Sequence, residues 1–210
     1  YHGTDADWME FDDSRALSSM GLHVGTPEQV DAVRFTGGTK EDLGATRPLD
    51  GQRVMPLYVK IDKPLRMEDG GDWYPWRIVD NLASRALVDS TPLPANAREL
   101  AGLTQPHMLR TWEKWSDARK KIEVYSRQKA TAWLEDHPSA TRDEYRDVER
   151  KAQRDYVRDL IERYGYDGIV YDNMYEGGGD SYIAFRPEQI KSATANRGTF
   201  DPTDPSILRD

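Results

Sequence analysis

The chain has 210 residues with a formal net charge of −8, and 31% of its residues are charged. It contains no cysteine, which excludes a disulfide framework and a thiolate zinc site. The acidic balance disfavours broad electrostatic binding to nucleic acid or anionic lipid, and no apolar run is long enough to cross a membrane. Because the first residue is Tyr1 rather than methionine, we expect the chain to be a fragment of a longer protein.

Short strands and turns are predicted for the N-terminal third of the chain. "YHGT" at the start and the residues before "GTPEQV" are typical of strands that end in turns. Thr26 is the predicted N-cap of the helix that follows, because Pro27 suits the first helical position. The alternating run 54–65 predicts one further strand.

The middle of the chain, about residues 72–164, is predicted to be a helical insertion. Residues 107–137 show helical spacing without a clear interruption, which predicts one long span. Thr141 followed by Glu144 is the signature of a capping box, so a last helix is expected to begin there. Gly165 is expected to end this helix.

Strands are predicted to return with "YDGIVYD" and "SYIAF", and the tail 196–210, rich in Asp and Pro, is predicted to be irregular. Strands at both ends with helices between them favour a single α+β domain over residues 1–210. We expect the first and last strands to share a sheet.

Three consecutive glycines in "EGGGDSYIAF" separate Glu176 from Asp180. A tight hairpin needs only one or two residues with a positive φ, so the third glycine requires an explanation. One interpretation is a loose surface loop. The other is a mobile loop that carries Glu176 and Asp180 to a ligand.

Two histidines lie in predicted short strands beside glycine and threonine. They are His2 in "YHGT" and His23 in "GLHVGT". A histidine on a strand is commonly just a packed side chain. However, glycine lets a ligand approach the backbone closely, where N–H and C=O groups can bind an amide, so the pair predicts a ligand site. No cluster of acidic residues and histidines has the spacing of a metal site.

Three segments resemble the motifs of the ADP-ribosyltransferase fold. "YHGT" resembles the first motif, His-Gly-[Thr/Ser], of the histidine branch. "GLHVGTPEQVDAVRF" resembles the second motif, and "GGGDSYIAFRPEQIKSA" resembles the third. The C-terminal run around this third motif is similar to ADP-ribosyltransferase-type domains in large phage and mobile-element polyvalent proteins.

The resemblance covers about residues 1–65 and 165–207. It implies an α+β fold in which a split β-sheet core is built from both chain ends, with the helical insertion in the middle. It also implies that NAD is a substrate.

Roles for individual residues follow from the same resemblance. His2 would hydrogen-bond a ribose hydroxyl of NAD, Gly3 would bind the nicotinamide carboxamide through its backbone, and Thr4 would support the strand. His23 falls where the family often has a tyrosine that packs on the nicotinamide. Phe35 is expected to supply a second aromatic contact.

The catalytic acid has two candidates. Ser181 stands directly before "YIAF", where polymerase-like members of the family have a glutamate, and it is expected to contact NAD. Asp180 lies one position earlier and Glu176 lies across the glycines. A carboxylate in this place stabilises the positive charge that develops at the ribose carbon as nicotinamide leaves. A glycine-hinged loop would swing it over the bound NAD.

The leading hypothesis is therefore an NAD-dependent ADP-ribosyltransferase, a glycosyltransferase-class effector of a phage or mobile element. A protein acceptor is favoured over nucleic acid, no membrane association is expected, and the location is the cytoplasm of an infected bacterial host or the virion. Two alternatives stay open. His2 and His23 would be the acid and base of a small ribonuclease, or the domain is an inactive interaction module of a larger phage protein.

Overall fold

The computed structural model describes residues 1–4, 9–11, 20–36, 53–87, 90–103, 105–197 and 199–208, with only the backbone at 33–36. The chain divides into two compact units. The first comprises Tyr1–Ala16, Gly21–Gly71 and Tyr166–Asp210, and the second comprises Leu17–Met20 and Asp72–Gly165. Helices combined with mixed sheets whose strands come from both chain ends confirm the predicted α+β class. That residues 1–210 form a single domain stays a prediction.

In its described residues, the first unit contains the strands and one α-helix. They are β1 (His2–Thr4), β2 (Leu22–Val24), α1 (Pro27–Thr36), β3 (Arg53–Met55), β4 (Leu57–Val59), β5 (Pro64–Met67), β6 (Gly168–Asp172), β7 (Asp180–Ala184) and β8 (Ile190–Ser192). In the described residues they form a four-stranded sheet of order β2-β7-β6-β5 and two pairs, β1-β3 and β4-β8. Only β5 and β6 run parallel among these pairings.

The expectation that the first and last strands share a sheet is wrong for the described residues. The first strand, β1, pairs with β3, and the last strand, β8, pairs with β4. The two chain ends meet instead through β2 and β7, where Leu22 lies opposite Ala184. A parallel pair, β5 and β6, adds a second connection between the ends.

The single strand predicted over 54–65 is divided into β3, β4 and β5. The first interruption is at Pro56, between β3 and β4. Proline has no N–H to donate to a sheet, so the strand is broken there. Before β5 the chain turns around the carboxylate of Asp167, which accepts the backbone N–H of Asp62 and of Lys63, each at 2.7 Å. These interruptions give each short strand a different partner.

The apolar core of the first unit includes residues from its N-terminus, its sheets and its tail. The buried members of this cluster are Phe11, Leu22, Val24, Ala184, Ile190 and Ile207. The tail has no helix or strand in its described part, as predicted, yet Ile207 is only 1% exposed. Its backbone N–H donates to Met9 O at 2.8 Å, and its O accepts from Ser192 N at 2.9 Å, so the tail is packed.

The second unit is helical. Its helices are α2 (Pro75–Ser84), α3 (Ala97–Leu100), α4 (Pro106–Lys114), α5 (Asp117–Asp136) and α6 (Arg142–Arg163). The capping box of Thr141 and Glu144 is present, and Gly165 follows α6 with a φ of 83°. The single span predicted over 107–137 is wrong, because Ser116 caps a new helix by accepting the N–H of Arg119 at 3.0 Å.

An apolar cluster holds part of the second unit together. Its buried members are Ala97, Ala101, Trp112 and Val124. Within the described ranges, no helix combines the length and apolar character needed to cross a membrane.

Candidate active site

Strand alternation in the four-stranded sheet sorts the predicted site residues onto two faces. His23 on β2 lies opposite Ile183 on β7. Ser181, two residues before Ile183, shares that face and lies opposite Tyr171 on β6. Asp180 is offset by one residue from Ser181, so its side chain leaves from the other face.

His2 on β1 is attached to β2. Its Nδ1–H donates to the backbone O of His23 at 2.8 Å, which fixes the tautomer that carries this proton. Burial lowers the pKa of His2. Gly3 and Thr4 continue β1 opposite Val54 and Arg53. The structure therefore brings the predicted residues of the first motif close to His23.

The imidazole of His23 contacts a buried tyrosine. Its Nδ1 lies 3.2 Å from the hydroxyl oxygen of Tyr171, and the two rings meet edge to face with centroids 6.1 Å apart. Burial, together with the nearby His2, lowers the pKa of His23 to about 4. Burial also raises the pKa of Tyr171, and the negative charge of Glu176 raises it further. Both side chains are therefore uncharged near neutral pH.

The glycine run has a conformational explanation. Gly177, Gly178 and Gly179 have φ angles of 113°, 79° and 85°, which side chains other than that of glycine rarely tolerate. Asn173 N–H donates to Gly179 O, and Gly178 N–H donates to Asn173 O, both at 2.8 Å. The loop between β6 and β7 is thus a turn with a defined shape and internal hydrogen bonds.

Asn173 orients Glu176 within this loop. The Asn173 side chain is 2% exposed, and its Oδ1 accepts the backbone N–H of Glu176 at 3.1 Å. Its Nδ2 donates to Glu176 Oε2 at 2.6 Å and to Ser181 Oγ at 3.0 Å. The carboxylate of Glu176 is consequently half-buried and held beside the face that carries His23. Sequence reasoning did not identify Asn173.

Gln29 is a second residue that sequence reasoning missed, and it is 2% exposed. Its Oε1 accepts from Thr26 N at 2.8 Å and from Ser181 Oγ at 2.9 Å. Its Nε2 donates to Gly178 O at 2.8 Å and to Gly179 O at 3.0 Å. The pattern Thr-x-x-Gln, a capping box, was the signal in the sequence. Thr26 is the N-cap that was predicted, since its Oγ1 accepts the N–H of Gln29 at 3.3 Å.

Asp180, the other candidate acid, lies in an ion pair with Arg66. Its two carboxylate oxygens accept from the guanidinium at 2.9 and 2.7 Å, and this contact lowers the pKa of Asp180. The structure does not bring Asp180 together with Glu176. The side chain of Phe35, predicted to contact NAD, lies outside the described residues, although its backbone is part of α1.

The family model for ADP-ribosyltransferases in polyvalent proteins matches residues 1–200. The chain belongs to this family. The resemblance predicted from the three motifs is therefore confirmed, and the fold is that of an ADP-ribosyltransferase-like α+β protein. Comparisons with curated proteins and with solved structures give no match. The roles of individual residues stay predictions.

The residues of this polyvalent-protein ADP-ribosyltransferase domain fit the chemistry of NAD. An uncharged imidazole, His2, lies next to Gly3 on the strand that is attached to His23, and a buried amide holds the half-buried carboxylate of Glu176 beside the sheet face that carries His23. An imidazole can form hydrogen bonds with the ribose hydroxyl groups. A carboxylate can stabilise the positive charge that develops at the ribose carbon. Among the described residues, no group of three or more acidic or histidine side chains is arranged to hold a metal ion.

Proposed function

We propose that the domain transfers ADP-ribose from NAD to a macromolecular acceptor, with Glu176 as the catalytic carboxylate. Two runs of hydrogen bonds that meet where β6 pairs with β7 support this proposal most strongly. One runs from His2 Nδ1–H to the backbone O of His23, and from His23 Nδ1 to the Tyr171 hydroxyl. The other joins Ser181 Oγ to Glu176 through the side-chain amide of Asn173, and Ser181 lies opposite Tyr171. Buried polar chains of this kind hold side chains in fixed orientations, which a catalytic constellation requires.

The proposed reaction exchanges one bond at the ribose carbon. The bond from this carbon to the nicotinamide nitrogen breaks, and nicotinamide leaves with the electron pair. The acceptor then forms a new bond to the carbon, and its proton passes to Glu176 or to water. The carboxylate stabilises the positive charge that develops at the carbon and orients the acceptor. His2, held as the Nδ1–H tautomer, would accept a hydrogen bond from a ribose hydroxyl through its other ring nitrogen.

Glu176 is proposed as the acid in preference to Asp180. Asp180 is neutralised by the two-point contact with Arg66 and leaves from the opposite face of β7. Ser181, which stands where polymerase-like members of the family have a glutamate, already donates to Gln29 and accepts from Asn173. We propose that Ser181 supports the acid loop from this position, so its predicted contact with NAD is not needed for the mechanism.

Glu176→Gln is the variant that tests this assignment, because it preserves the size of the side chain and removes its charge. We expect kcat for nicotinamide release to fall by about 100-fold or more, with NAD still bound. Asp180→Asn should stay within about threefold of the wild type, because its side chain faces away from the reacting atoms. Binding is followed by calorimetry and release by chromatography. Full activity of Glu176→Gln would refute its catalytic role, and no NAD binding by the wild type would favour the inactive interaction module.

The acceptor is proposed to be a protein rather than nucleic acid, because the net charge of −8 disfavours a polyanion. A phage or mobile-element effector acting in a bacterial host cytoplasm, or carried in the virion, is the setting that the family suggests. The ribonuclease alternative is less well supported. Its general acid would need a protonated histidine near neutral pH, whereas burial lowers the pKa of both His2 and His23.

A further inference from the structure

The tripeptide Pro-Glu-Gln occurs twice in the chain, ending at Gln29 and at Gln189. The first copy begins α1, and the second forms a 3-10 turn, Pro187–Gln189, that leads into β8. Both glutamines lie at the third position of their turn. The same local sequence therefore places two long amide side chains in equivalent positions at the start of two helical turns.

Both glutamines use their side-chain atoms in the same way. Gln189 Oε1 accepts backbone N–H groups of its own turn, from Phe185 at 2.8 Å and from Arg186 at 2.9 Å. Its Nε2 donates to two backbone carbonyls of other segments, Lys60 O at 3.1 Å and Asp167 O at 2.8 Å. Gln29 likewise accepts from its own turn and donates to two carbonyls elsewhere.

The two glutamines differ in the segments to which their side-chain amides donate hydrogen bonds. Gln189 joins its turn to the segments that flank β4 and β6. Gln29 joins α1 to the carbonyls of Gly178 and Gly179, which follow Glu176 in the loop. Gln29 Oε1 also accepts a hydrogen bond from Ser181 Oγ. Ser181 Oγ in turn accepts from Asn173, the residue that orients Glu176. Of the two glutamines, it is therefore Gln29 that contacts the loop carrying the proposed acid.

The neighbouring sequence makes room for Gln29. A Cβ atom at Gly25 would lie 2.2 Å from Gln29 Oε1 and 3.0 Å from Ser181 Oγ. Because any side chain at this position would collide with the amide, the glycine of "HVGT" fits the requirement that Gln29 reaches the loop. Gly25 therefore leaves the space that the amide of Gln29 occupies.

We propose that Gln29 is a positioning residue that fixes Glu176 for catalysis by clamping the glycine loop against the start of α1. This inference rests on the proposed function. In the clamp, the amide group donates to two loop carbonyls at once, which no carboxylate can do. The loop is accordingly set in place before NAD arrives and does not need to swing over it. Gln189 makes the equivalent contacts to Lys60 and Asp167, in segments that do not carry the proposed acid.

Gln29→Glu distinguishes the two roles of Gln29, which are to hold the glycine loop and to cap the start of α1. The new side chain has nearly the same shape and can still accept from Thr26 N and Ser181 Oγ, so the start of α1 is preserved. Its second oxygen, however, would face the carbonyl oxygens of Gly178 and Gly179. All three atoms are hydrogen-bond acceptors, so both bonds to the loop would be lost and the oxygens would repel each other. Gln189→Glu makes the same chemical change in the other Pro-Glu-Gln turn and is the matched control.

The experiment measures kcat and KM for nicotinamide release, NAD binding and thermal stability for the wild type and both variants. For Gln29→Glu we expect kcat to fall by about 100-fold, with KM changed by less than about threefold, because a displaced acid affects the transition state more than binding. For Gln189→Glu we expect a lower melting temperature with kcat within about threefold of the wild type. Hydrogen exchange of the peptide 173–181 should become faster in Gln29→Glu alone.

Three results would overturn the inference or separate it from the proposed function. Equal losses of kcat in Gln29→Glu and Gln189→Glu would mean that both residues act only by stabilising the fold. Unchanged exchange of the peptide 173–181 in Gln29→Glu would show that the amide does not clamp the loop. A wild type that binds NAD but releases no nicotinamide would remove the proposed function itself, whatever the exchange data show. If Gln29→Glu does not fold, Gln29→Met and Gln189→Met provide the same comparison without a buried charge.

Discussion

Acidification should destabilise the first unit through His23. The pKa of this histidine is lowered in the folded state from 6.5 to about 4, mainly by burial and further by His2. The unfolded chain therefore binds more protons than the folded chain between these two pH values. Stability from this group is fully present above pH 6.5 and is lost as the pH falls towards 4. The pKa of His2 is also lowered, so His2 acts in the same direction.

The magnitude follows from the two pKa values of His23. A separation of 6.5 − 4 = 2.5 units corresponds to a maximum of about 3.4 kcal/mol, at about 1.36 kcal/mol for each unit. Only part of this is lost in an accessible pH range. Between pH 7 and pH 5 the same linkage relation gives a decrease in the free energy of unfolding of about 1.8 kcal/mol.

The assay is urea unfolding at pH 7 and at pH 5, followed by far-ultraviolet circular dichroism, for the wild type and for His23→Gln. The glutamine variant should lose about 1.8 kcal/mol less than the wild type between the two pH values. His137→Gln, at an exposed histidine in the second unit, is the control and should behave as the wild type does. An equal pH-dependent loss in the wild type and in His23→Gln would refute the reasoning.

Two further substitutions test the loop and the tail. Gly178→Ala should lower the free energy of unfolding by about 1–2 kcal/mol in urea titrations, because φ is +79° and nothing lies within 4 Å of the added Cβ to compensate; no loss would mean that the loop adopts another conformation at no cost. Lys191→Met should lower it by about 2 kcal/mol and speed hydrogen exchange in residues 199–208, because the buried ammonium donates to Asp204 O at 2.8 Å and Ser206 O at 2.5 Å. An unchanged exchange rate would show that these bonds do not hold the tail.

Local sequence signals predicted the elements of the fold better than their pairing. The caps at Thr26 and Thr141 were identified because a cap depends on residues three positions apart. The pairing of β1 with β3 was missed, because three-residue strands contain too little alternation to specify a partner. Pro56 and the turn around Asp167 divided one alternating run into three strands, and the second of these interruptions depends on a residue more than a hundred positions away.

The candidate site could be predicted in part for a similar reason. The resemblance to family motifs named His2 and His23, and Glu176 was named because it lies across the glycines from the third motif. The roles of all three residues stay predictions. Gln29 was missed although its capping box was visible, since its second role depends on a carbonyl 150 residues away. Neutral amides also carry no charge pattern that would mark them as site residues. Motif reasoning thus named the proposed reacting groups and overlooked the buried amides that hydrogen-bond to them and to their loop.

The proposed position of the acid in this chain is consistent with the space around Ser181. The serine is 3% exposed, and its hydroxyl lies between Gln29 and Asn173 at hydrogen-bonding distance from both. A glutamate in its place would have to displace the amide of Gln29, and the loop would then lose the two bonds at Gly178 and Gly179. We therefore expect that the strand position cannot hold the acid while the clamp is present. A carboxylate supplied from the loop, as proposed for Glu176, is compatible with the bonds from Gln29 to the loop, and Asn173 orients it.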